Sequence, residues 1–279
     1  MAWKAYALAA AIELARHEKR HEDESRYLAM GREVAKRAAD LEQNPFIDFN
    51  LYILYRAIGE DDLGLQAVQR IAVYPGGWYT GVTSACLLRH EPDAAIKAFD
   101  EAMKNAKKDN AYYRLARGLL VPRETDGRLM TRELVEDSLD HSATIGRLQS
   151  LFALCLVSGP SEIKNDAVRA AEGSLPQAGS TGGVLSVSRC IEYLADQKSE
   201  ADLLKESAEH GYSAVMAHCT IAMLSLARRE HQKARDHFES AVATQTIGSL
   251  GYEWARACLA RMENDRLWPH SISGQALES

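Results

Sequence analysis

The nine residues from Leu14 to Glu22, Leu-Ala-Arg-His-Glu-Lys-Arg-His-Glu, contain the spacing H-E-x-x-H. On one continuous helix this spacing puts two imidazoles on a single face, where they can hold zinc, with a carboxylate beside them to activate a water. The neighbours oppose that chemistry. The two residues inside the motif are Lys19 and Arg20, whose charges repel a dication. Two other stretches read the same way: Leu87 to Ala95 (LLRHEPDAA) and Leu226 to Ala234 (LARREHQKA). In both, a helix is expected to end at the Arg and a turn to begin. His17 and Glu18 are therefore expected at a helix terminus, with His21 in or near the turn. There a histidine suits the negative end of the helix dipole.

Other candidates for chemistry are as readily explained by structure. Gly173 to Arg189 (GSLPQAGSTGGVLSVSR) could offer backbone amides to an anion, but it lacks the G-K-[ST] ending of a nucleotide loop. Ser180, Ser186 or Ser188 as a nucleophile would need a base that nothing nearby in sequence supplies. The charge runs RHEKRHEDESR and NAKKDN suit solvated turns with pairing at i, i+4. Cys86, Cys155, Cys190, Cys219 and Cys258 are odd in number and have no C-x-x-C pair, so neither a disulfide framework nor structural zinc is expected. A reducing cytoplasm is the natural setting. We expect no catalytic residues, no metal and no cofactor.

Composition agrees with a helix-rich chain. The 279 residues carry a formal charge of −6, with 46% apolar and 26% charged residues. Scattered basic residues within a net acidic chain argue against nucleic acid as the partner. No run of about 18 apolar residues exists, so no membrane span is expected. The stretch YALAAAIELA near the start carries Glu13 and continues into a charged segment, which fits a buried helix face better than a secretion signal.

What positions these residues is a repeat. Ala234, Phe238 and Ala241 stand at i, i+4 and i+7, and so do Ala95, Phe99 and Ala102. The small–large–small order lets a neighbouring helix approach at the alanines while the Phe fills the gap. The same frame fits Gly31/Ala35/Ala38, Gly64/Val68/Ile71, Met130/Leu134, Ala167/Ala171/Ser174 and Ala201/Lys205/Ala208. Successive frames begin at 31, 64, 95, 130, 167, 201 and 234, a period near 34. That period is the mark of stacked helix–turn–helix units, each unable to bury its own face alone. The segments NLYILYRAIG, TSACLLRHE, LQSLFALCLVSG and TIAMLSLARRE, apolar on more than one face, are expected as the first helices of successive units. In the last helix, Trp254, Ala257, Cys258, the stem of Arg261 and Met262 form the expected buried face.

On these residues the chain resembles the tetratricopeptide repeat family and a related class of short helical repeats. Its end, with the last repeat before it, is similar to the repeat tails of bacterial serine/threonine-kinase signalling proteins. The resemblance implies an all-α, right-handed α-solenoid of about seven antiparallel helix hairpins over residues 1–272, with a flexible tail at 273–279. It further implies that the first helices line a concave groove. In this sequence that places inward Phe46, Phe49 and Ile53; Thr80 and Ser84; Tyr112, Leu115 and Leu119; Phe152 and Leu156; Ser186 and Cys190; and Cys219 and Met223. The core of the expected partner site is Phe49, Ile53, Tyr112, Leu115, Phe152 and Met223. The Lys and Asn with which some family members grip acidic C-terminal tails are absent, so an amphipathic helix or aliphatic peptide is the expected occupant. The same side chains could equally pack against neighbouring helices.

The implied function is a non-catalytic protein–protein interaction scaffold, with a protein or peptide partner, no nucleic acid and no membrane. A helical regulatory domain that senses a small ligand or peptide between repeats is the alternative; an enzyme acting through residues 17–21 stands third. If the motif is inert, the purified protein holds no stoichiometric zinc. Zinc by atomic emission that disappears in a His17→Ala/His21→Ala double variant would contradict this.

Overall fold

The computed structural model describes residues 2–38, 45–72, 144–172, 182–244, 246, 249–265 and 268–269. Among them eleven helices and no strands are found: α1 (Ala2–His17), α2 (His21–Ala38), α3 (Pro45–Ile58), α4 (Asp61–Ala72), α5 (Thr144–Val157), α6 (Pro160–Glu172), α7 (Gly182–Leu194), α8 (Glu200–Ser207), α9 (Gly211–Ala227), α10 (His231–Ala243) and α11 (Leu250–Asn264). The all-α class is therefore as expected. No described helix is long and apolar enough to cross a membrane. The repeat around Ala95 and Phe99, the pair Met130/Leu134, and Cys86 lie outside the described residues.

The chain divides into two compact units, one of residues 1–109 and 245–253, the other of 110–244 and 254–279. In the first unit α1 pairs with α2 and α3 with α4, and α3 also packs on α1 and α2. The inner face of α2 is Gly31, Val34, Ala35 and Ala38, which contains the predicted small-residue frame. Gly31 is required by space. A Cβ there would lie 2.9 Å from Cγ2 of Ile58 and 3.2 Å from Cδ1 of Leu54, so its absence lets α2 settle onto α3. Tyr52, Leu54 and Ile12 are fully enclosed in this unit. Asp48, 1% exposed, is held by Nε of Arg70 at 2.7 Å, tying α3 to α4. Arg56 reaches Glu253, in the returning segment of the same unit, at 3.0 Å.

The second unit is built around α9. Every residue from Cys219 to Leu226 is buried, more than two full turns, so this helix has no solvent face over that length. It packs on α5, α7, α8 and α10. The buried residues of α10 are Ala234, Phe238 and Ala241, the frame read from the sequence. One frame is displaced. On α8, Ala201, Lys205 and Ala208 are exposed, and the buried residues are Leu203 and Ser207. The i, i+4 spacing survives, but the apolar Leu203 sets the inner face rather than the alanines. The expected face of α11, comprising Trp254, Ala257, Cys258, Arg261 and Met262, is buried throughout.

One turn recurs. After α1, α3, α7 and α9 the chain passes through a residue with positive φ: Lys19 (55°), Gly59 (81°), Asp196 (63°) and Arg229 (62°). Each time, that residue's N–H bonds three residues back, and the next N–H bonds five back. Examples are Gly59 to Arg56 and Glu60 to Tyr55 (3.2 and 2.8 Å), and Arg229 to Leu226 and Glu230 to Ser225 (both 2.9 Å). This is the Schellman ending, which satisfies carbonyls the helix leaves open. After Lys19, Gly59 and Arg229 a single residue separates the turn from the next helix, so the second helix folds back at once.

Two outcomes follow. Gly59 has nothing within 4 Å of a would-be Cβ, so Gly59→Ala tests backbone strain alone. It should lower stability in urea unfolding by about 1–2 kcal/mol, while Arg229→Gly relieves strain and raises it. Phe238→Ala opens a void among fully buried neighbours, a change that costs about 3–5 kcal/mol. Hydrogen exchange should then show protection falling first in α9 and α10, with α2 and α3 little changed.

Candidate interaction surface

The expected groove residues fall into three groups. Ile53, Phe152, Leu156, Ser186, Cys190, Cys219 and Met223 are buried, filling the interfaces between helices. Phe49 is half-buried and Phe46 is 49% exposed. Thr80, Ser84, Tyr112, Leu115 and Leu119 lie outside the described residues. Within this set, then, exposed surface is found at the start of α3. Phe46, Phe49 and Ile53 follow at i, i+3 and i+7 on one face, running from an exposed rim to an enclosed floor.

A side chain that sequence reading missed completes this surface. Trp3, in the first turn of α1, is 71% exposed and meets the Phe46 ring edge-on, with centroids 5.3 Å apart and planes at 66°. Such edge-to-face pairs are favourable because the positive rim of one ring meets the negative face of the other. Two aromatic rings left this open to water lose hydration cost when covered, which is why aromatic residues anchor interfaces. Trp3 sits ahead of the repeat frames, so the 34-residue period could not flag it.

The motif at 17–21 does not share one helical face. His17 closes α1, Lys19 takes the left-handed conformation, and His21 opens α2 with 84% of its side chain exposed. The charges around it form a lattice over the turn. Arg16 bonds Glu24 at 2.8 Å and Glu13 at 3.0 Å, while Arg20 bonds Glu18 at 2.6 Å and also Asp23. Exposed pairs of this kind each contribute little to stability. Among the described residues no group of three His, Cys, Asp or Glu side chains is placed to hold a metal ion.

The remaining candidates serve packing. The Ser186 hydroxyl shares a hydrogen bond with that of Ser213 at 2.5 Å, joining α7 to α9. Ser188 is buried; Ser180 lies outside the described residues. Cys155, Cys190, Cys219 and Cys258 are buried thiols. Burial pushes the thiols of Cys155 and Cys190 up to about 12 and raises that of Cys219 as well, so these three stay protonated and unreactive.

Comparison with protein-family models, with curated proteins and with solved structures finds no match to this chain.

Proposed function

We propose that this protein is a non-catalytic interaction scaffold: a right-handed α-solenoid of about seven helix hairpins that takes an apolar side chain of a peptide or partner domain against Trp3, Phe46 and Phe49. The observation that carries this reading is the exposed aromatic pair on α1 and α3, set on helices whose inner faces are buried. Support for a repeat architecture comes from the recurrent Schellman turns and from the matching inner faces of α2 and α10. The likeness to tetratricopeptide repeats, read from the residue frames, points the same way.

The test uses surface residues so that the fold is spared. Trp3→Ser/Phe46→Ser should leave circular dichroism unchanged and lower stability in unfolding by only about 0.5–1.5 kcal/mol, the contribution of the ring pair itself. Quantitative affinity capture with the wild-type chain and this double variant should show one set of partners lost from the variant. Rebinding of a purified member of that set should weaken by about 2 kcal/mol or more, the size expected for an aromatic anchor. Identical capture by the two proteins would refute the proposed surface.

A further inference from the structure

Where α8, α9 and α10 meet, His218 of α9 and His237 of α10 point Nδ1 at Nδ1 across 3.0 Å. Their ring centroids are 5.3 Å apart. That is the nitrogen separation plus about one centroid-to-nitrogen radius on each side, so the two nitrogens lie on the line between the rings. Head-on contact at this distance is a hydrogen bond. A metal ion on the same line would need about 2 Å to each nitrogen, roughly 4 Å in all. A single proton fits.

The surroundings decide which ring donates. Nε2 of His237 faces Oε1 of Glu200 at 3.5 Å, and the same carboxylate is bound by Nζ of Lys233 at 2.6 Å. A carboxylate attracts N–H, so His237 carries its proton on Nε2 and its Nδ1 accepts from Nδ1–H of His218. A first added proton can enter at Nε2 of His218 without disturbing this bond. The second has only Nδ1 of His237 left, where it would meet the N–H of His218 with no lone pair between them. The charges acting on the rings are Glu200 from α8 and Lys233 and Asp236 from α10. From α7, Tyr193 engages Glu200, while Arg228 and Glu230 beyond the end of α9 act on Tyr193. No charge from α5 acts on either ring among the described residues.

We propose that the His218–His237 pair is a proton-operated latch, which holds α10 to α9 while it carries at most one extra proton and releases when the second enters. Burial, the largest influence on both rings, holds their pKa values below the ordinary histidine value; the charge of His237 lowers His218 further, while at His237 the upward pull of Glu200 is opposed in part by Lys233. The sign follows from this. Folded-state pKa values depressed below 6.5 mean that the unfolded chain takes up protons first, so stability is full above 6.5 and is lost as pH falls through the folded values. The two steps belong to the pair rather than to either ring. What is released is specific: α10 carries Phe238, and Lys233 and His237 both tie it to Glu200 on α8.

The experiment is hydrogen exchange on the whole chain from pH 7.5 to 4.5, read as protection factors. Amides of α10 should lose protection by about tenfold per pH unit once the second step begins, while those of α2 hold. His218→Asn supplies an amide N–H near the Nδ1 position, does not titrate, and can turn its oxygen toward a protonated His237; it should flatten the α10 response. Loss of protection in α2 and α10 together, an α10 unchanged down to pH 4.5, or an equal fall in His218→Asn would each overturn the latch. Should that variant fail to fold, ¹⁵N shifts of the wild-type imidazoles decide. The latch requires opposite tautomers and two separated steps; independent titration of both rings near 6.5 would reject it.

Discussion

The all-round burial of α9 is the constraint on which the second unit depends. An ordinary surface helix sheds about half its circumference to water, so a neighbour can be lost without exposing the rest. From Cys219 to Leu226 this helix has no such side. Small residues make the enclosure possible: Cys219, Thr220, Ala222 and Ser225 let helices come close, while Ile221, Met223, Leu224 and Leu226 fill the spaces between them. The hydroxyl of Thr220 turns back to the Met216 carbonyl at 2.7 Å, so a polar atom is enclosed without being left unsatisfied. Packing of this density leaves α10 with a narrow task, and three residues, Ala234, Phe238 and Ala241, perform it.

The first unit reaches similar closeness by different means. There a glycine rather than a run of small side chains lets α2 approach, and charge supplements apolar contact at Asp48 with Arg70. The hairpin turns are common to both units. Three of the four left-handed turn residues are Lys, Asp and Arg, types that adopt this conformation at a cost that glycine avoids. The helices on either side therefore hold the turn, rather than the turn dictating the helices.

Much of this was legible in the residues. Small–large–small spacing marked the inner faces of α2 and α10, because a helix repeats its face every three to four residues whatever surrounds it. It misplaced the face of α8, where alanines stand outside and Leu203 inside: alanine is as good a helix former on the surface as in the core, so its position alone is ambiguous. The turn at 17–21 was correctly read from its likeness to the Arg228 region, although no glycine marks it. The exposed ring pair was half visible, since Phe46 lay on an expected face while its partner Trp3 lies 43 residues earlier and outside the period. The two facing imidazoles were not visible at all. His218 and His237 are single residues on separate helices, and only the crossing of α9 with α10 brings their nitrogens together.

The ion pair between Arg56 and Glu253 joins residues 197 positions apart within one unit. A ribosome delivers residues at roughly 5–20 per second, so Arg56 emerges about 10–40 s before the carboxylate that meets it. In that interval α1 to α4 can form their local hairpins, but the returning segment that completes their unit does not yet exist. Through that interval these helices stand in an unfinished unit, with Trp3 and Phe46 already synthesised. Vectorial synthesis makes this aromatic surface available before the unit that carries it is complete.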